Sequence, residues 1–366
     1  MIIERLYLKS FRNYTEVNLR FSPHINVLIG ENAQGKTNLL EGIYLMATGK
    51  SFRSGKDKEL IKMEEEGFYN ALSLRRMDGQ EKTIEIGVNR LGQKRMKING
   101  VPLDRQSDLF GNLNVVIFSP EDLKIIKEGP AYRRDFMDHD LSQISPKYHY
   151  HLQQYQRVLR QRNQSLKLKA YRSVDLEPWN IQLAQYGVKI MRARSEFIHR
   201  VAILTKLMHR KITKESENIK LSYVPDLPMK EKEDEKALIE RFIHRLKENE
   251  KDEVGRGTSL TGPHRDDLLF EINGKDVKKY GSQGQTRTSV LSLKMAELEV
   301  IKGETGEYPV LLLDDVLSEL DDQRQRDLLL NLKNIQTFIT TTSLEKLEGK
   351  IEMDCYRVVE GEVENF

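Results

Sequence analysis

The chain has 366 residues, 38% of them hydrophobic and 31% charged, and a formal net charge of +3. That length exceeds what one hydrophobic core usually supports, so two lobes are expected, and no apolar run approaches the ~18 residues of a membrane span. Cys355 is the only cysteine, which excludes an intrachain disulfide and a thiolate-rich metal site, and the early charges Glu4 and Arg5 interrupt any secretory h-region, so the expected location is the cytoplasm.

In chain order, strands are expected over residues 2–8, 17–21 and 25–29, the last almost wholly apolar and therefore buried. Residues 30–37 then read Gly30-Glu31-Asn32-Ala33-Gln34-Gly35-Lys36-Thr37, which is G-x-x-x-x-G-K-T, followed by an amphipathic helix from about Asn38. This is the spacing of a phosphate-binding loop. Its glycines let backbone N–H groups turn toward phosphate oxygens, the helix N-terminus adds partial positive charge, Lys36 reaches the β/γ-phosphates of ATP, and Thr37 ligates Mg²⁺.

Short β-rich runs follow over about 68–98, closed by the turn pair Asn99-Gly100, and residues 115–118 form another apolar run. From Pro130 to about Leu246 the periodicity is helical, with Leu152, Tyr155 and Leu159, then Ile190, Phe197, Val201, Leu204 and Leu207, at three- and four-residue spacings. No strand is expected there. Lys147 to Lys214 holds 15 Lys/Arg against Asp175, Glu177 and Glu196, a local +12 that leaves the rest of the chain at −9. Such a block is either a polyanion-binding face or a solvated helix surface; Arg157, Arg160, Arg192 and Arg194 are its candidate DNA contacts.

Residues 230–236 and 247–253 read as exposed connections. The β pattern resumes at 268–272 before Asn273-Gly274, and a helix over 283–301, a buried strand over 310–313, a helix near 323–332 and a strand over 337–340 complete the series. Asp314, ending the 310–313 strand, is the expected magnesium ligand, directly or through water; Asp315 is placed to orient or deprotonate the attacking water, or else to cap its loop.

Ser282-Gln283-Gly284-Gln285-Thr286-Arg287, just before a helix, resembles the L-S-G-G-Q signature of ATP-binding cassettes, and Ser318-Glu319-Leu320-Asp321 resembles their D-loop. In that family the signature caps the γ-phosphate held by a partner subunit. The expected fold is therefore α/β: a P-loop lobe of the cassette type with a β-rich subdomain, interrupted by a compact helical lobe. Its segments would be 1–129, 130–250 and 251–366.

Phe11-Arg12-Asn13-Tyr14, the phosphate loop, Ser51-Phe52-Arg53, Thr261-Gly262-Pro263-His264-Arg265-Asp266-Asp267, the signature segment and the 312–321 stretch together resemble the RecF family of bacterial DNA-repair ATPases, over nearly the whole chain. That family resembles SMC head domains with a compact helical lobe in place of a long coiled coil. The resemblance implies an ATP-dependent homodimer that binds single-stranded or duplex DNA at gaps, junctions and stalled forks. It also implies work with RecO and RecR, recombinase loading and support of the SOS response, through a weak, DNA-stimulated, Mg²⁺-dependent ATPase without nuclease or helicase activity.

By the same analogy Arg12 contacts nucleotide; His264 and Arg265 either contact nucleotide or DNA or shape their turn. The chain departs from the wider cassette pattern at three places. Asp315 replaces the usual glutamate, Thr340-Thr341-Thr342-Ser343 lacks the switch histidine, and no Q-loop glutamine is evident at Ser119-Pro120-Glu121-Asp122. Slow turnover is expected. A cassette subunit energising a membrane transporter is the alternative reading, and a cassette-type nuclease is disfavoured because its further domain of Asp and Glu pairs has no counterpart.

Overall fold

The computed structural model describes residues 1–169, 175–230, 233–317, 325, 328–329, 332, 334–343 and 353–366. They fall into two compact units: Met1–Asp122 with Glu297–Phe366, and Leu123–Ala296.

The first unit contains two six-stranded sheets. One is antiparallel, in the order Tyr14–Arg20, Ile2–Phe11, Gly67–Arg75, Glu81–Asn89, Lys94–Ile98, Val101–Pro102. Alternation explains it: in Ile2–Phe11 the side chains of Ile3, Leu6 and Leu8 are buried and Arg5 and Lys9 exposed, with a register shift between Ile3 and Arg5. The other sheet has five parallel strands, in the order Met353–Val359, Ile25–Ile29, Thr337–Thr341, Val310–Leu313 and Val115–Phe118, and Glu362–Asn365 folds back antiparallel on Met353–Val359. Val310–Leu313 and Val115–Phe118 are apolar without interruption because both faces are covered. The helix Lys36–Thr48 packs against strands of both sheets, so nearly its whole circumference is buried and one core joins the helix to both sheets.

The second unit is mainly helical, with Pro130–Ile144, Pro146–Lys169, Glu177–Ile212, Glu235–Glu248 and Glu250–Arg256. It corrects two expectations. A strand, Ile219–Val224, interrupts the helical stretch and pairs antiparallel with Asp267–Ile272. Its six residues were too few to outweigh the surrounding helical period, and its partner lies over forty residues away. Residues 247–253 form no exposed connection: they span the end of one helix and most of the next, and Glu253 is fully buried.

The Asn99-Gly100 and Asn273-Gly274 turns have positive φ at both residues, as a tight hairpin requires. Most of the expected 323–332 helix and the D-loop-like Asp321 lie outside the described residues. No helix among the described residues is long and apolar enough to cross a membrane.

Candidate nucleotide site

Ile25–Ile29 ends at Gly30, where any Cβ would stand 2.3 Å from the carbonyl oxygen of Val358. The chain then turns through Ala33 at φ 66° and Gly35 at φ 120°, left-handed values that glycine tolerates and that Ala33 adopts at a cost. No side chain caps the helix that begins at Lys36, so its first N–H groups face the loop without a protein cap. The Lys36 ammonium donates to the carbonyls of Gly30 and Glu31, each at 2.6 Å. An ammonium has three protons, so one remains for an anion in the loop. Burial lowers the Lys36 pKa, while Asp315 and Asp314 pull it back upward.

Thr37 and Asp314, 277 residues apart in sequence, meet: the threonine hydroxyl donates to Asp314 Oδ1 at 2.7 Å. Thr340 donates to the same oxygen at 2.9 Å and accepts from the Asp315 N–H at 2.8 Å. Burial raises the Asp314 pKa; the Thr37 and Thr340 hydrogen bonds and the Arg53 charge oppose it. A buried carboxylate beside a threonine hydroxyl is a hard-oxygen donor pair, suited to Mg²⁺, and a cation there would offset the desolvation of the carboxylate. Asp315 is exposed, in a left-handed conformation at φ 53°.

Several residues of this site escape a reading of the loop alone. Asn13 donates to the Gln34 carbonyl at 2.9 Å and accepts from Asn38 at 2.9 Å. Behind the loop, the Glu360 N–H donates to Gln34 Oε1 at 2.6 Å and the Gly361 N–H to the Gln34 carbonyl at 3.2 Å, so the turn of the last hairpin holds the loop in place.

Arg12 is clamped by Glu41, whose two carboxylate oxygens accept from Nη2 at 2.6 Å and Nε at 2.7 Å. Ser51 also donates to Glu41, and Arg53 reaches it at 3.8 Å while donating to Asn38 at 2.9 Å. Glu41 thus joins the Phe11–Tyr14 and Ser51–Arg53 segments to the loop helix. The signal was a lone acid inside the apolar run Leu39-Leu40-Glu41-Gly42-Ile43.

In the second unit the signature segment opens the helix Gln283–Thr305. Ser282 accepts from the Gln285 N–H at 3.1 Å and Gln285 Oε1 accepts from the Ser282 N–H at 2.9 Å, a reciprocal capping box. Ser282, Gln283 and Gly284 are exposed. A Cβ at Gly284 would meet only Ser282 Oγ, at 3.9 Å, so nothing within this chain requires glycine there.

The candidate DNA arginines divide. Arg157 and Arg160 are exposed, and Arg192 is half-buried and donates to the Glu233 carbonyl. Arg194 is 2% exposed, with Nη2 on Asp138 at 2.7 Å and Nη1 on Asp266 at 2.8 Å. It presents no cation to a DNA backbone, and that expectation is corrected. The Thr261–Asp267 turn is equally committed to the fold at His264: Nε2 donates to the Ser259 carbonyl at 3.1 Å, leaving Nδ1 to accept from the Tyr155 hydroxyl at 2.6 Å. Burial pushes the His264 pKa down to about 4. Arg265 is exposed.

Comparison with known proteins identifies the chain's relatives. The family described as RecF/RecN/SMC N terminal domain matches residues 2–363. The DNA replication and repair protein RecF of Alkaliphilus oremlandii (strain OhILAs) is 51% identical over 95% of each chain, and that of Clostridium tetani (strain Massachusetts / E88) is 43% identical over the full length of both. A solved structure of the recombination mediator protein RecF-ATP in the RecFOR pathway superposes with a TM-score of 0.94 at 38% identity, covering 100% of this chain and 97% of that one. A Pyrococcus furiosus Smc head domain shares the fold alone, with a TM-score of 0.59 at 17% identity over 100% of this chain and 96% of that one. The fold is that of the SMC-like cassette ATPases, these likenesses give the transporter reading no support, and the chain belongs to the RecF family.

Proposed function

We propose that this protein is an ATP-dependent DNA-binding dimer of recombinational repair and replication restart. Its P-loop lobe binds ATP and Mg²⁺, and two copies close over two nucleotides. The observation that carries the nucleotide reading is the meeting of Thr37 and Asp314 at 2.7 Å beside a lysine ammonium that keeps a free proton. Lys36 would neutralise the β/γ-phosphates, Thr37 and Asp314 would hold the metal, which supplies charge stabilisation for phosphoryl transfer, and Asp315 would orient the attacking water. Arg12, held by Glu41, would stand beside the nucleotide. That a RecF relative 38% identical was solved with ATP supports the same ligand here.

The signature segment supports closure between copies. With its oxygen accepting from Gln285, the Ser282 hydroxyl keeps its proton for an outside acceptor, at a helix N-terminus favourable to anions. Glycine at 284 costs the helix up to about 1 kcal/mol relative to alanine and returns no packing in this chain, as expected where an external phosphate approaches closely. The family likeness extends the reading to gapped DNA and stalled forks, to partners RecO and RecR, to recombinase loading and SOS induction, and to a slow, DNA-stimulated ATPase in the cytoplasm without nuclease or helicase activity.

Calorimetric titration with ATP and Mg²⁺ tests the nucleotide reading. The parent should bind and hydrolyse ATP, while Lys36→Ala should lose turnover by roughly 10²–10³-fold through loss of a phosphate-facing charge. A Lys36→Ala chain with parental affinity and turnover would remove the basis of the proposal.

A further inference from the structure

The solvent face of the antiparallel sheet carries an arrangement that the nucleotide site does not use. Register places Lys9, Tyr69, Gly87 and Arg95 in one row across four strands, and Tyr7, Ala71, Glu85 and Lys97 in the next. In the third row Arg5 stands opposite Arg20 on one side and Ser73 on the other. The Tyr7 and Tyr69 rings pair at 6.1 Å between centroids, and Tyr69 is 40% exposed. Their hydroxyls donate to Glu16 at 2.9 Å and Glu85 at 2.8 Å. Around the rings the floor is small: Gly87, Ala71, Ser73 and Thr83.

Over these rows five cations face two carboxylates, Glu16 and Glu85; both carboxylates are engaged by the tyrosines, and Lys97 also pairs with Glu85 at 3.9 Å, while Glu4 and Glu81 lie at the far end with Arg75. Lys9, Arg20 and Arg95 are exposed, and among the described residues their side chains have no ion pair or hydrogen bond. Directly opposed like charges such as Arg5 and Arg20 destabilise a sheet, and an anion above this open face would offset their repulsion. Strands lie ~4.8 Å apart, so the cations of the first and fifth strands flank the aromatic pair across roughly 19 Å.

Aromatic rings on a small-residue floor, flanked by unpaired cations, match unstacked bases joined by phosphates; the bases of a duplex are already stacked on one another. We infer that this sheet face is a binding surface for single-stranded DNA, with Tyr7 and Tyr69 as the stacking platform and Lys9, Arg20 and Arg95 as phosphate contacts. The inference rests on the reading that the chain binds DNA, and it places the contact on the first unit instead of the basic helices.

The test is fluorescence anisotropy of full-length protein with a labelled oligo-dT and with a labelled duplex, across a salt series. Tyr69→Ala should weaken oligo-dT binding about tenfold while Tyr69→Phe keeps it, through loss and retention of base stacking. Arg95→Ala should lower the single-strand salt slope by about 0.7. ATP turnover without DNA and the urea midpoint should stay parental in all three. Parental oligo-dT affinity and slope in Tyr69→Ala and Arg95→Ala, with a large loss in an Arg157→Glu, Arg160→Glu chain, would overturn the sheet surface and leave DNA binding on the helices. Losses confined to the duplex would overturn the single-stranded occupant. A parent that binds neither probe overturns the DNA reading itself, and the sheet surface with it.

Discussion

Two charged sites, one in each unit, are used in opposite ways. In the second, Arg162 is fully buried, with Nη2 on Glu253 at 2.7 Å, Nε on Asn180 at 2.8 Å and Nη1 on Ser259 at 2.7 Å, and Arg194 and Asp266 form a similar interior set with Tyr148 and Tyr223. In the first, the Lys36 ammonium keeps a proton and Asp314 sits beside a hydroxyl suited to share a metal. Lysine and arginine counts in a sequence therefore conflate cations that hold helices together with cations that await a ligand. The difference lies in where the acids are, and those acids come from distant parts of the chain.

Breaking an interior set is the largest expected effect. Glu253→Ala leaves Arg162 as an uncompensated buried cation and should cost about 3–5 kcal/mol in urea unfolding. A loss under about 1 kcal/mol would mean that the pair is not sequestered and that the units do not differ in this way.

The pH dependence sharpens the same contrast. His264 is held neutral, its folded pKa of about 4 lying below the ~6.5 of an unfolded histidine. Its contribution is fully present above pH ~6.5 and is lost as pH falls toward 4, in total on the order of 3 kcal/mol. The difference in stability between the parent and His264→Gln should shrink over that window; a constant difference would show that the imidazole titrates normally.

On the ligand-facing side, Asp315→Asn should slow ATP hydrolysis roughly 10²-fold and leave ATP binding nearly unchanged, since Thr37 and Asp314 remain for the metal. Stopped-flow phosphate release separates the two. Parental turnover would assign the water to another group.

These contrasts also explain what the sequence revealed. The phosphate loop was legible because spacing and context agree over a few consecutive residues, with an apolar strand before it and a helix after it. Asp314 was legible as the acid ending an apolar strand, and Ser282 as the opening of a helix. Arg194 was misread because its partners, Asp138 and Asp266, lie 56 and 72 residues away, beyond any local pattern. The Ile219–Val224 strand was missed for a similar reason. The final hairpin gave no expectation at all, although the Glu360-Gly361 pair, at φ 48° and 84°, forms the turn that grips Gln34. Glu362–Asn365 is only four residues long with two acids, and the alternation of Met353–Val359 stands out once Tyr356 and Val358 are seen buried beside Ile25–Ile29.

Sedimentation velocity with and without ATP and Mg²⁺ reads directly whether two copies close over ATP through Ser282. Ser282→Arg places a bulky cation at an exposed helix N-terminus, the position assigned to the phosphate held by the other copy, and leaves residues 30–37 untouched. The parent should sediment as a dimer with ATP, whereas the variant should bind ATP with near-parental affinity in calorimetry and remain a monomer. A Ser282→Arg chain that dimerises with ATP as the parent does would contradict closure through Ser282.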